Sequence, residues 1–509
     1  MRFPVSRSLP LGLALAMPLL AISPGSFAAD GRVSATAGDA AGTALDQTPA
    51  VTRHVGVFHG ERVAYTATVE GLDVRTGPAG EGARIVSFAY TRDMPVGNEA
   101  RGAKRPVMFL FNGGPIVASQ YLHIGGIGPR RVDFPDDLAA DPAKLRLVDN
   151  AFSPLDRTDL VFVDPASTGF SRVMPGTSPS AYFSVKDDAR QFAAFIRTWL
   201  KAHGRENSPV YLFGESYGTN RAAEIAGQLA DGPDPLPLAG IFLYGQAVNI
   251  IEYAQRPANV TSYVASLPTL AAIGWYHGRA MRKGRSLDAF LADARAFAKG
   301  DYLATLYQGN AAPEGDRRRV AQKLAEFTGI PADWYMANAL RITKERYRVE
   351  LLKDRGLLLG RMDARYVAPV TDKGGVPDPS EVIGDAVQRL FPAYVRDDLK
   401  VGWSEPYVPA VAIASLEQWG WGESTSPFGD WPYYSGIGRM MDRNPAFRLV
   451  VGNGFYDTQT TMGAAELLVT QSGWDPARVT LRYYDGGHTG YSVAATAKAI
   501  GDDIRALVR

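Results

Sequence analysis

Cysteine is absent from the chain's 509 residues. Its absence removes disulfides, thiolate nucleophiles and cysteine-based zinc or iron–sulfur sites, and it leaves any nucleophile to an oxygen. A charge excess of either sign is also missing: 54 Lys and Arg face 53 Asp and Glu, a formal net charge of +1. Nothing in bulk draws such a chain toward nucleic acid or an anionic membrane, and no run of Lys or Arg forms a basic arm. Histidine is scarce, so an imidazole base must come from six residues: His54, His59, His123, His203, His277 and His488. A membrane-spanning run is lacking too. The apolar stretch from Leu9 to Ile22 is shorter than the roughly 20 residues a bilayer span needs, and Pro10 and Pro18 interrupt it.

What that stretch does resemble is the centre of a secretory signal peptide. Arg2 and Arg7 precede it, and Ser26-Phe27-Ala28 supplies the small residues a signal peptidase reads. We therefore expect residues 1–28 to be a cleaved signal peptide. The mature chain is then exported to the periplasm or the extracellular space, with no stable membrane insertion. Residues 29–50, rich in Ala, Gly, Thr and Asp and without a sustained period, read as a flexible lead-in.

From Arg62 to Arg92 two β-rich runs, Val63–Val69 and Ile85–Tyr90, flank a glycine-rich connection and predict an antiparallel pair at one edge of a sheet. The rhythm then changes. Val107–Phe111, Leu160–Val163, Val210–Phe213 and Ile241–Tyr244 are short and wholly apolar, the pattern of strands buried on both faces of a parallel sheet. Between them Ser184–Lys201 spaces Val185, Ala189, Phe192, Phe195, Ile196 and Trp199 as one face of a helix. Strand signal fades from about 250 to 400 and returns at Phe447–Val451 and Val479–Tyr484, and a last helix is predicted over Ala494–Leu507. The expectation is an α/β fold with a mostly parallel central sheet and helices on both faces. The sheet is formed by residues 51–249 and 401–509 and interrupted by a mostly helical cap insertion at 250–400.

The chemistry centres on Gly214-Glu215-Ser216-Tyr217-Gly218. An apolar strand runs into this pentad and a helical stretch, Thr219–Leu229, leaves it. That is the setting of a nucleophile elbow, which exposes a serine Oγ on a sharp turn. A serine hydroxyl needs a base to take its proton, and after such an elbow the acid and then the histidine follow along the chain. Only His277 and His488 follow Ser216. His277 falls in the predicted insertion, whereas His488 sits in a loop at the carboxyl end of a strand, where open α/β sheets place their sites. The preceding strand leads to Asp457, which has the order needed to orient the imidazole; its alternative use is a helix N-cap, and Asp485 is its rival. The oxyanion of an acyl-transfer step needs two backbone donors. Tyr217 supplies one. Gly114, in the Asn112-Gly113-Gly114-Pro115 turn after Val107–Phe111, supplies the other, and Gly113 lets the backbone approach the substrate. No metal site and no cofactor is expected.

Together these motifs resemble the serine carboxypeptidase family of α/β-hydrolases. Phe111–Pro115 is similar to its NGGP signature, Phe162–Ser171 to its D-x-P-x-G-T-G-F-S stretch, Gly214–Gly218 to its GESY elbow and Gly487-His488 to its GH segment. Leu122–Gly125 with Gly128–Arg131 resembles the bacterial branch in particular. The resemblance implies peptide substrates shortened from the carboxyl terminus, with Asn112 and Glu215 binding the terminal carboxylate through a shared proton. Three positions depart from the pattern. Ile116 stands where the family has a glycine beside the oxyanion turn, Leu110 replaces a common tryptophan, and Gly126 matches the place of a second glutamate in eukaryotic members. Two other readings stay open: an esterase or acyltransferase using the same triad, and, prompted by Ile116, an inactive binding protein on this scaffold. The oligomeric state is left open.

Overall fold

The computed structural model describes residues 47–77, 80–370, 378–411, 418–422 and 433–508. The expected signal peptide and nearly all of the lead-in lie outside them. The core is a ten-stranded sheet. Its main strands are β1 (Ala50–Phe58), β2 (Glu61–Arg75), β3 (Gly82–Arg92), β4 (Val107–Phe111), β5 (Asp159–Val163), β6 (Val210–Glu215), β7 (Gly240–Tyr244), β8 (Arg448–Gly454) and β9 (Val479–Tyr484). Their spatial order is β1-β2-β3-β5-β4-β6-β7-β8-β9, and the two-residue strand Arg172–Val173 pairs with β3. The last six strands of that order run parallel, while β1, β2 and β3 are antiparallel. This is the α/β-hydrolase fold. Every residue of β4, β5 and β7 is buried, as their unbroken apolar sequences predict.

One edge differs from the sequence expectation. The pair β2–β3 is present, but β1 lies outside it and is the true edge strand. Its alternation is inverted: Val51, Val55 and Val57 point to solvent, 59%, 54% and 54% exposed.

Helices cover both faces. On one side α1 (Val185–Ala202) buries Phe192, Phe195, Ile196 and Trp199. Its start is fixed by Ser184, whose Oγ accepts from the Asp187 N–H at 3.0 Å. Beside it α2 (Gly218–Asp231) leaves the elbow and packs on α3 (Tyr433–Arg443). The two helices meet through Gly227 and Gly436; a Cβ on Gly436 would overlap the Ala223 carbonyl. On the opposite face lies α4 (Ala494–Leu507), over the span that the sequence predicts. Between β7 and α3 the described chain is mainly helical, with one two-stranded ladder, Leu357–Leu359 with Val367–Pro369. Among the described residues no helix is long and apolar enough to cross a membrane.

Candidate active site

At the carboxyl end of β6 the chain turns sharply enough that a Cβ on Gly214 would overlap the Gly218 carbonyl, and one on Gly218 would press on the Phe111 carbonyl at 2.9 Å. Ser216 sits at the apex with φ of 59°, the left-handed region that costs a non-glycine residue about 1 kcal/mol or more. Two neighbours hold it there. The Ser216 N–H donates to Tyr244 O of β7 at 2.9 Å, and Thr219 donates to Ser216 O from both its N–H and its Oγ1, at 2.9 and 2.6 Å. Ser216 is half-buried. Its Oγ makes no hydrogen bond among the described residues.

Loops after β8 and β9 bring Asp457 and His488 together. Asp457 Oδ2 and His488 Nδ1 are 2.7 Å apart, and both residues are buried. The other carboxylate oxygen of Asp457 accepts from the N–H groups of Gln459 and Thr460 at 2.7 and 3.0 Å. Asp457 is therefore not a helix N-cap, since the next helix starts at Met462 with Thr461 as its cap; one oxygen holds the local turn and the other faces the imidazole. Thr460 Oγ1 adds a 2.6 Å bond to Oδ2. Burial alone would lower the imidazole pKa. The charge and hydrogen bond of Asp457, with the charge of Glu215, outweigh it and hold His488 above its ordinary value. The His488 N–H donates to Met362 O at 2.6 Å, a contact from the segment between β7 and β8.

The turn after β4 lies against the elbow. A Cβ on Gly113 would meet the Tyr217 N–H at 2.5 Å, so only glycine permits this approach. Gly114 has φ of 109°, another requirement for glycine. Neither the Gly114 nor the Tyr217 N–H has a hydrogen-bond partner among the described residues. Asn112 Nδ2 donates to Glu215 Oε2 at 3.2 Å, while its Oδ1 accepts from the Leu122 N–H at 3.0 Å. The orientation of the amide is thereby fixed. Glu215 is 3% exposed, and burial raises its pKa to about 7.

The remaining candidates are placed elsewhere. His277 Nε2 bonds to Ala364 O at 2.8 Å and belongs to a helix end. Asp485 is exposed and faces Arg365 at 3.9 Å. Ile116 is buried in the apolar layer that includes α1 and α2. Gly126 packs against Tyr491, whose Cβ a side chain there would overlap. Among the described residues no group of three or more His, Asp or Glu is placed to hold a metal ion.

Three contributors leave little or no mark in the sequence. Thr460, three residues after Asp457, had a local signal in the turn chemistry of Asp. Tyr491 and Lys344 had none, because their positions are set by tertiary packing. Tyr491 OH donates to Glu215 at 3.0 and 3.3 Å. Lys344 Nζ donates to Gln459 O at 2.7 Å, and burial lowers its pKa to about 8.

Residues 96–254 match the family model described as serine carboxypeptidase. Asn112, Glu215 and Ser216 fall inside the match, Asp457 and His488 outside it. Over 126 residues the chain is 29% identical to serine-type carboxypeptidase F of Aspergillus niger, covering 24% of this chain and 23% of that protein. Over 169 residues it is 29% identical to a carboxypeptidase Y homolog of Arthroderma benhamiae, covering 33% and 30%. The chain thus spans less than a third of the length of either relative. Both are fungal, and neither bears on a bacterial branch. In structure the chain is similar to a prohormone-processing carboxypeptidase of Saccharomyces cerevisiae, with a TM-score of 0.50 and 14% identity over 86% of this chain and 91% of that one, a likeness of fold.

Proposed function

We propose that the protein is an exported serine carboxypeptidase that releases residues from peptide carboxyl termini through an acyl-enzyme. The observation that carries the reading is the buried Glu215 carboxyl, bonded to Asn112 and standing next in sequence to Ser216. The match of residues 96–254 to the serine carboxypeptidase model supports it. In this reading Ser216 Oγ attacks the scissile carbonyl and gives its proton to His488 Nε2, while Asp457 holds the imidazole through Nδ1. The Gly114 and Tyr217 N–H groups receive the oxyanion. His488 then protonates the leaving amine, and a water activated by the same base hydrolyses the ester. Residues 250–400 act as a cap over this edge of the sheet; the Met362–His488 bond supports that role. Export rests on the N-terminal leader.

The terminal carboxylate of a peptide would sit against Asn112 and Glu215. Two carboxylates repel in a desolvated pocket, so binding keeps one proton between them. Glu215 is protonated below about pH 7 and loses that proton as pH rises through that value. KM for a peptide acid should therefore rise about tenfold per pH unit above 7, while KM for the matching amide or ester stays nearly flat. Glu215→Gln should flatten the peptide-acid curve. The test is KM against pH for an N-blocked dipeptide, its amide and its ester, in wild type and Glu215→Gln. Parallel curves for acid and amide would sink the carboxypeptidase reading in favour of an esterase or acyltransferase.

A further inference from the structure

Glu215 differs from an ordinary buried acid in the partners it keeps. Its carboxyl accepts from Asn112 Nδ2 and from Tyr491 OH, the latter reaching both oxygens at 3.0 and 3.3 Å. No cationic side chain hydrogen-bonds to it among the described residues. The titratable groups that face it are His488 and Asp457 from the loops after β9 and β8, Tyr244 from β7, Tyr121 from the segment after β4, and Tyr491 itself. Asn112 cannot adapt, because the Leu122 N–H holds its other end. Among the described residues Tyr491 is thus the one neutral donor to Glu215 whose hydroxyl can turn to follow the proton.

The backbone makes room for this phenol. Tyr491 stands in the short turn Gly490–Ser492, three residues beyond His488. Its ring lies on the segment Gly125-Gly126, where a Cβ on either residue would run into the tyrosine. It is 1% exposed. Burial, with the nearby Glu215 charge, keeps the phenol well above its ordinary pKa, so it remains a donor.

We propose that Tyr491 is the positioning residue of this subsite, holding the Glu215 carboxyl in place and deciding how readily it gives up its proton to or shares it with a ligand's carboxylate. The second half of this statement rests on the carboxypeptidase reading above; the first half does not. A phenol that donates to a carboxylate stabilises the ionised form. It works against burial, which favours the neutral form. Removing the hydroxyl must therefore move the Glu215 titration upward, and strengthening it as a donor must move the titration down.

The experiment follows the Glu215 carbonyl stretch in pH-difference infrared spectra of the full-length protein, the band being assigned by its loss in Glu215→Gln. Tyr491→Phe should shift the midpoint up by about one pH unit, the worth of one hydrogen bond to a charged group. Genetically encoded 3-fluorotyrosine at position 491 keeps the shape, has a more acidic hydroxyl, and should shift the midpoint down. An unmoved midpoint in both variants would overturn the proposal and leave Tyr491 as packing alone. KM against pH for a peptide acid should shift in parallel with the infrared midpoint. If the midpoint moves and KM does not, the positioning role stands and the carboxypeptidase reading fails.

Discussion

At the amino edge of the parallel sheet Asp159 is 1% exposed, and at the carboxyl edge Glu215 is 3% exposed. The two carboxyls are equally dry and differently served. Asp159 faces two guanidinium groups, Arg105 Nε at 2.8 Å and Arg205 Nη1 at 2.7 Å, and also accepts from the Arg92 N–H at 3.0 Å. Among the described residues Glu215 has only an amide and a phenol as hydrogen-bond donors, and its pKa is raised to about 7. Removing a carboxylate from water costs several kcal/mol unless charge and hydrogen bonds replace the solvent. The amino edge meets that cost with fixed cations and gains a rigid junction among β3, β4 and β5. The carboxyl edge leaves it partly unmet, which keeps a proton near neutral pH where a ligand could use it. The same contrast holds for the backbone: Ser216 stands in a left-handed conformation at the carboxyl edge.

Three experiments test this contrast. The largest effect should come from Ser216→Ala, which should lower kcat roughly a millionfold, the scale of triad removal. It should also abolish labelling by a fluorophosphonate, with the melting temperature unchanged. A labelled Ser216→Ala protein would mean that the reactive group lies elsewhere. Next, Arg205→Met should do the reverse. It strips Asp159 of one of its two cations and should cost about 3 kcal/mol of stability, read as a lower urea midpoint, with kcat/KM retained below the melting transition. Lost activity without lost stability would erase the distinction between the edges.

The smallest effect concerns stability against pH. The folded-state pKa of Glu215 lies above its ordinary value, so the protonated carboxyl favours the folded state at low pH. That contribution is lost as pH rises through about 7. Glu215→Gln, which has no proton to lose, should gain on wild type by roughly 2 kcal/mol between pH 5 and pH 8. Equal urea midpoints at both pH values would show that Glu215 already has its charge compensated.

What the sequence made legible follows from where each signal is local. The strands β4, β5 and β7 are buried on both faces, so nothing interrupts their apolar runs, and they were read nearly to the residue. Strand β8 continues through Gly452-Asn453-Gly454, residues with little strand propensity, beyond the apolar run that marks it in the sequence. Strand β1 gives no core-facing signal in the sequence, because its valines face solvent and its half-buried positions are Ala50, Thr52, His54 and Gly56. In the site, the sequence order of Ser216, Asp457 and His488 could be argued from the elbow, and so could the glycine turn. Tyr491 could not, since its contact with Glu215 joins residues 276 positions apart and depends on the bare Gly125-Gly126 backbone.

The bond from His488 N–H to Met362 O joins the loop after β9 to the segment between β7 and β8 through main chain alone. Gly487 closes the joint, since a Cβ there would run into Met362 O and Asp363. A main-chain acceptor is indifferent to the side chain it carries. The side chain at 362 can therefore be exchanged without losing the bond, while the path length of the turn from Gly360 to Tyr366, closed by its own Gly360 N–H to Tyr366 O bond at 2.8 Å, is constrained. A one-residue deletion in that turn should displace the imidazole where most substitutions would leave it in place.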